Sequence, residues 1–203
     1  MPAGRSKATP GPRRRGDTTA LPAERPLRSL CRTEIESRYA AALAAADGLA
    51  GAHCVHEWWM RGEPGANVEV ALARLWAVAA ATIPDWLPMR HVEWLPLAYQ
   101  VCARFRREGR GRQNLYLVLL DYEDSARGPH GVYVGSTRYA PAERFDQHKA
   151  GLRAAGSVLK RGLEVLTGPV LHLQGLKRAQ AAEIEEGLAE ALRAEGLIVR
   201  GGH

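Results

Sequence analysis

Two neighbouring segments carry the clearest pattern in the sequence: GVYVGST over residues 131–137 and RFDQH over residues 144–148. The first is β-rich, has a glycine at its start and another near its end, and carries Tyr133. On the predicted helix that follows, Arg144 and His148 are four residues apart and therefore share one face. A tyrosine on a strand, facing an arginine and a histidine on the next helix, indicates a site for a phosphate.

The residues around these segments predict a small unit of strands and helices. Residues 115–120 and 132–134 are expected to pair as strands, and Pro141 is at a position typical of the first turn of a helix that ends near Ala150. The remaining expected elements are a short helix over 157–161, a third strand over 170–173, a long helix over 177–195 and a buried strand or extended end over 197–199.

The long helix contains one acidic residue that departs from its pattern. Its apolar stripe consists of Ala181, Ile184, Leu188, Ala191 and Leu192. Glu185 falls inside that stripe, and a buried carboxylate is costly unless another group pairs with it. Two interpretations remain open at this point. The carboxylate reaches water or an arginine at the edge of the stripe, or it faces a cleft as a metal ligand or catalytic acid.

Residues 28–112 are predicted to be helical and identify no reaction. A capping box of Thr33 and Glu36 predicts a helix over 34–47. A second helix is expected to begin near Asn67, and a third is expected from Pro96 to Gly109.

The histidines in His53-Cys54-Val55-His56 lie close together and are candidate metal ligands. The sequence lacks a second cluster with the paired spacing of a structural zinc site, so a metal here is not favoured, and the nearby Trp58 and Trp59 are expected to be packing residues.

The composition favours acidic partners and a reducing compartment. The 203 residues carry a net charge of +6. Residues 1–26 contribute 6 − 2 = +4 of this charge, and residues 1–27 are expected to form a disordered basic tail. The three cysteines, Cys31, Cys54 and Cys102, are widely spaced and do not predict a disulfide framework. No apolar run approaches the roughly 20 residues of a membrane span, and no secretory signal is evident, so a cytoplasmic location is expected.

The segment over residues 104–112 has five arginines and one glutamate, which gives 5 − 1 = +4. Two interpretations of this charge remain open. The segment is either a solvated helix end and linker, or a basic hinge beside a nucleic-acid groove.

Four motifs occur in order in the second half of the chain, and together they resemble the GIY-YIG nuclease domain. They are Asn114-Leu115-Tyr116, Tyr133-Val134-Gly135, Arg144-x-x-x-His148 and Ala181-x-x-x-Glu185-x-x-Leu188. The resemblance covers residues 113–203 and extends to a bacterial branch of the superfamily whose members end near GGH. Residues 28–112 would then form a helical accessory domain.

The resemblance implies an α+β chain in which the helical N-terminal region precedes a small α/β domain with a central three-stranded sheet. It also implies a metal-dependent endonuclease that hydrolyses phosphodiester bonds in nucleic acid, expected to be DNA, with Mg²⁺ or another divalent cation such as Mn²⁺. On this basis Tyr133 activates the attacking water and Tyr116 helps to position it. Arg144 holds the scissile phosphate, His148 contacts phosphate or assists proton transfer, and Glu185 binds the metal.

The chain also departs from the family pattern. The first motif lacks its usual glycine, and Ser136 stands where some relatives have a lysine. An asparagine that many relatives place after the glutamate-bearing helix is missing, and whether His203 replaces it is open. Two alternatives to a nuclease are an inactive nucleic-acid-binding module and a protein-interaction scaffold. The first predicts salt-sensitive binding without cleavage, and the second predicts neither binding nor metal dependence.

Overall fold

The computed structural model describes residues 25–122 and 128–202, so most of the predicted basic tail and His203 lie outside the described residues. Arg25 and Leu27, which the sequence assigned to the tail, belong to the described part, where Leu27 joins the apolar core. From residue 25 onwards the sheet is preceded by four helices: α1 (Arg32–Ala45), α2 (Gly48–Met60), α3 (Gly65–Ala79) and α4 (Leu95–Cys102).

The first helix begins two residues before its predicted start because a different capping box operates. The backbone N–H of Cys31 donates to the Glu34 carboxylate at 2.7 Å, so Cys31 is the N-cap and Glu34 occupies the third helical position. Asp47 was expected to end this helix. It instead caps the start of α2, which the sequence analysis missed, by accepting from the N–H of Ala50 at 3.0 Å.

The predicted bounds of the next two helices are also corrected. The helix α3 begins at Gly65 and not at Asn67, whose side-chain amide donates to Glu63 at 2.6 Å. The helix α4 ends at Cys102 and not at Gly109.

The second half contains a four-stranded mixed sheet. Its strands are β1 (Asn114–Asp121), β2 (His130–Thr137), β3 (Gly162–Leu166) and β4 (Val199–Gly201), in the order β3-β1-β2-β4. β1 pairs antiparallel with β2 and with β3, whereas β4 pairs parallel with β2. The helices of this half are α5 (Pro141–Lys149), α6 (Gly156–Arg161) and α7 (Arg178–Ala194). The prediction of mixed helix and sheet is confirmed, but the sheet has four strands and not three.

The predicted third strand over 170–173 is wrong. Gly168–Leu173 forms a 3-10 helix that begins with Pro169 in its first turn. Val170 and Leu173, three residues apart, are buried, which is the spacing of one 3-10 turn and not the alternation of a strand. The third strand is instead β3, in which Glu164 accepts a hydrogen bond from the N–H of Met89 at 3.0 Å.

The sheet is covered on both faces, and β1 at its centre is therefore an almost unbroken apolar run. One face joins the main core, which continues from the helices α1 to α4 through the sheet to α7. The other face carries a smaller cluster of Tyr116, Val118, Leu120 and Val158, against which Phe145 and Ala155 pack. This smaller cluster places α5 and α6 over the two motif tyrosines. Among the described residues, no helix is both long and apolar enough to cross a membrane.

Candidate functional site

The register between β1 and β2 places the two motif tyrosines side by side on one face of the sheet. Tyr116 lies directly opposite Gly135, and Tyr133 is two residues before Gly135, so all three are on the same face. The centroids of the two tyrosine rings are 5.9 Å apart. A Cβ atom at Gly135 would lie only 2.7 Å from Tyr116 Oη and from Tyr133 Cε1. The glycine of the second motif is therefore required for this arrangement of tyrosines.

The helix α5 brings His148 onto Tyr116. His148 is 1% exposed, and its Nε2 lies 2.9 Å from Tyr116 Oη. Its other ring nitrogen, Nδ1, accepts a hydrogen bond from the N–H of Ala155 at 2.9 Å. Burial, reinforced by the positive charge of Arg144, lowers the pKa of His148 to about 4, so the ring is neutral near pH 7. Because Nδ1 is an acceptor in a neutral ring, the proton resides on Nε2 and is donated to Tyr116.

The donation continues from Tyr116 to Tyr133. The two hydroxyls hydrogen-bond each other, and because Tyr116 Oη already accepts from His148 and Arg144, its own proton is the one donated to Tyr133. Burial is the largest influence on both tyrosines and leaves the pKa of each above its ordinary value. A chain of donors therefore leads from the N–H of Ala155 through His148 and Tyr116 to the oxygen of Tyr133.

Arg144 is held on the same side of α5 by the turn that follows the helix. Its Nη2 donates to the carbonyl of Arg153 at 2.9 Å, and its Nη1 reaches the carbonyl of Leu152 at 3.3 Å and Gln147 Oε1 at 3.2 Å. The guanidinium also hydrogen-bonds Tyr116, and its charge acts to lower the pKa values of both motif tyrosines. The structure thus brings Tyr116, Tyr133, Arg144 and His148 into one cluster.

Glu185 lies half-buried on α7, at the side of the sheet formed by β2 and β4. Its negative charge acts to raise the pKa of Tyr133, so the carboxylate is within electrostatic range of that hydroxyl.

The donor set near Tyr133 fits one class of metal ion. Over residues 25–122 and 128–202, no group of three or more histidine, cysteine or acidic side chains is arranged to hold a metal. A single carboxylate does not suit zinc, which takes three or four protein ligands. It does suit Mg²⁺, which keeps several waters and uses one or two carboxylates together with the phosphates of a substrate.

Sequence reasoning missed two parts of the site. The N–H of Ala155 fixes the tautomer of His148, but a backbone donor leaves no signal in residue type. Arg200 lies beside Tyr133 in the parallel register and donates to the hydroxyl of Tyr122 at 3.1 Å. Both contacts of Arg200 join distant parts of the chain, and local sequence patterns do not predict them.

The candidate ligands His53 and His56 are far along the chain from this site, and they pack against aromatic rings. Their ring centroids lie 5.1 and 5.6 Å from that of Trp86, and His56 is also 5.1 Å from Tyr99. Both histidine rings therefore pack among the aromatic side chains of the helical half.

Comparison with known proteins finds no matching family model, no matching curated protein and no matching solved structure. The geometry of the tyrosine, histidine and arginine cluster is therefore the basis for any functional conclusion, and the resemblance to GIY-YIG nucleases remains a prediction.

Proposed function

We propose that the chain is a metal-dependent endonuclease of the GIY-YIG type that hydrolyses phosphodiester bonds in nucleic acid, with DNA as the first substrate to test. The observation that carries this proposal is the donor chain from Ala155 through His148 and Tyr116 to Tyr133, with Arg144 beside it. A tyrosine core needs no histidine of fixed tautomer and no arginine at its centre, whereas phosphodiester hydrolysis needs an oriented base and a fixed cation.

In this proposal Tyr133 first loses its own proton to solvent, and the resulting phenolate accepts the proton of the attacking water. Tyr116 donates to Tyr133 Oη, and this donation stabilises the phenolate that a base must form. His148 and Arg144 both donate to Tyr116 and so orient its proton towards Tyr133. His148 is a positioning residue on this account, because its Nε2 reaches Tyr116 and its neutral ring holds that proton in place.

Burial keeps the pKa of Tyr133 above its ordinary value in the free protein. A tyrosine is a weak base at pH 7 unless a cation stabilises its phenolate. The positive charge of Arg144 already acts to lower the pKa of Tyr133. A divalent cation held by Glu185 and the substrate phosphate would neutralise the Glu185 charge and supply further positive charge to the phosphate and the phenolate.

Arg144 is the residue that we assign to the phosphate. A guanidinium carries a permanent charge on a planar fork of five N–H donors, and the contacts with Gln147, Leu152, Arg153 and Tyr116 leave one of them for a phosphate oxygen. Its hydrogen bonds to the carbonyls of Leu152 and Arg153 fix the plane of the fork before a substrate arrives. This fixation lowers the entropy that phosphate binding would otherwise cost.

The test is nicking of supercoiled plasmid by the full chain in Mg²⁺ and in excess chelator. Wild type is compared with Glu185→Gln and with Glu190→Gln, an exposed glutamate on the same helix that serves as the matched control. We expect cleavage by wild type and by the control in Mg²⁺, and a loss of at least about 100-fold in Glu185→Gln. Equal cleavage by all three proteins would show that Glu185 is not part of the catalytic site. Tight binding without cleavage by wild type on plasmid, RNA and branched DNA would favour the inactive binding module.

A further inference from the structure

A dense group of cations lies outside the proposed catalytic site. We call it the arginine array, and it combines the connector between α4 and β1 with the start of α7. Its members are Arg104, Arg106, Arg107, Arg110, Arg112, Lys177 and Arg178. All seven side chains are exposed.

The backbone beneath the array is fixed by hydrogen bonds. Gly111 donates to the carbonyl of Gly175 at 2.7 Å, and Gln113 exchanges two hydrogen bonds with Leu176 at 2.7 and 3.0 Å. The Gln180 side chain donates to the carbonyl of Arg106 at 3.2 Å and accepts from the N–H of Glu108 at 3.2 Å. A residue larger than glycine at position 111 would collide with the carbonyl of Leu176. The connector therefore holds its arginines in a set arrangement, unlike a solvated linker.

The array concentrates charge that the rest of the described chain lacks. Its seven cations are offset by Glu108, Glu183 and Glu195, which gives 7 − 3 = +4. The total of +6 includes 5 − 2 = +3 from residues 1–24 and 1 − 2 = −1 from residues 123–127, so the described residues carry +4, which equals the charge of the array. Like charges held close together on a fixed backbone repel one another and destabilise the fold. A bound polyanion would relieve that repulsion.

Two members of the array are partly engaged within the protein. Arg104 pairs with Glu195 at 2.8 Å, and Arg107 donates to the carbonyl of Gln174 at 3.1 Å. Between the connector and α7 lies an open groove of about 510 Å³, lined among others by Arg104, Arg106 and Lys177.

The helix α7 connects the array to the proposed catalytic site. Arg178 is the first residue of this helix and Glu185 is seven residues later, which corresponds to about 10 Å along the axis. One strand of B-DNA rises about 3.4 Å per nucleotide, so this distance corresponds to about three base pairs. A duplex positioned at Glu185 would therefore extend its backbone towards the array.

We infer that the arginine array is a second contact surface for nucleic acid, which binds the sugar–phosphate backbone beside the proposed catalytic site and comes within about three base pairs of Glu185 at Arg178. The inference rests on the proposed function in that it takes the bound nucleic acid to be the substrate of the Tyr133 site. Phosphate contacts of this kind carry no sequence preference, so the array contributes affinity and orientation and not base specificity.

The experiment measures binding independently of cleavage. The full chain carrying Glu185→Gln is titrated into a fluorescein-labelled 25-base-pair duplex, and anisotropy gives the binding constant at several NaCl concentrations. The array variant adds Arg106→Gln, Arg110→Gln and Arg112→Gln. The matched control adds Arg28→Gln, Arg38→Gln and Arg74→Gln, three exposed arginines of the helical half. Both triple variants remove three positive charges, so a difference in their duplex binding depends on where those charges lie in the protein.

We expect the magnitude of the slope of log K against log salt to fall by about 2 to 3 in the array variant, because each phosphate that the protein neutralises accounts for about 0.9 of that slope. The control should keep the slope of the parent. Equal slopes in the two triple variants would overturn the inference, and so would an absence of duplex binding by the parent. If binding depends on the array but wild type shows no metal-dependent cleavage, the array is confirmed as a nucleic-acid contact surface and the proposed nuclease function is rejected.

Discussion

Replacement of Tyr116 by phenylalanine removes a single oxygen atom from the middle of the donor chain. That oxygen receives the proton of His148 Nε2 at 2.9 Å, and His148 is 1% exposed. In Tyr116→Phe the buried N–H of His148 has no acceptor, which costs about 1–3 kcal/mol. For a protein of this size, that loss corresponds to a decrease in Tm of about 2 to 12 °C.

The matched control is Tyr139→Phe. The hydroxyl of Tyr139 is exposed and accepts a hydrogen bond from Arg138 at 3.1 Å, so its removal should change the free energy of unfolding by less than about 0.5 kcal/mol. Urea denaturation at pH 7.5 measures both variants.

A second comparison isolates the hydrogen bond itself. In a His148→Leu background the N–H is already absent, so Tyr116→Phe should destabilise that protein by less than it destabilises wild type. The donor-chain account is refuted if Tyr116→Phe is no more destabilising than Tyr139→Phe, or if the His148→Leu background leaves its effect unchanged.

Two further predictions concern packing and protonation. Gly135→Ala places a Cβ atom 2.7 Å from two atoms of the tyrosine side chains and should lower the free energy of unfolding, measured by urea denaturation, by about 1–3 kcal/mol. Gly156→Ala is the control and should not destabilise the protein, because the space around its new Cβ atom is open. Equal effects of the two substitutions would contradict the packing argument. Burial lowers the pKa of His56, like that of His148, to about 4, which is below the usual value of 6.5. The contribution of these two histidines to stability should therefore be constant above about pH 6.5 and be lost as the pH drops towards 4, and His56→Leu should flatten that decline in Tm measured by circular dichroism. An unchanged decline would show that His56 does not titrate in the folded protein as we expect.

Three members of the cluster, Tyr133, Arg144 and His148, could be predicted as neighbours because each belongs to a local pattern. Tyr133 lies on a short β-rich run, and the four-residue spacing of Arg144 and His148 places them on one helical face. Strand pairing then brings Tyr116 opposite Gly135. Local periodicity predicted that Tyr133, Arg144 and His148 face one another, whereas Tyr116 was placed in the site only by the resemblance to the GIY-YIG domain.

Other elements depend on contacts between distant segments, which local patterns do not contain. The strand β3 includes the buried carboxylate of Glu164, which is tolerated because the N–H of Met89 donates to it. The helix α2 was missed because Asp47 was interpreted as the end of one helix, whereas it also caps the next. The parallel pairing of β4 with β2 likewise has no local signal.

The central claim is that Tyr133 activates the water that attacks the phosphodiester bond. It is tested most directly by single-turnover cleavage of plasmid in Mg²⁺ at saturating enzyme, with Tyr133→Phe compared with wild type and with Tyr139→Phe. The account predicts that Tyr133→Phe binds the substrate but cleaves it at least about 100-fold more slowly, which is the usual contribution of a general base. A cleavage rate for Tyr133→Phe equal to that of wild type would contradict the claim.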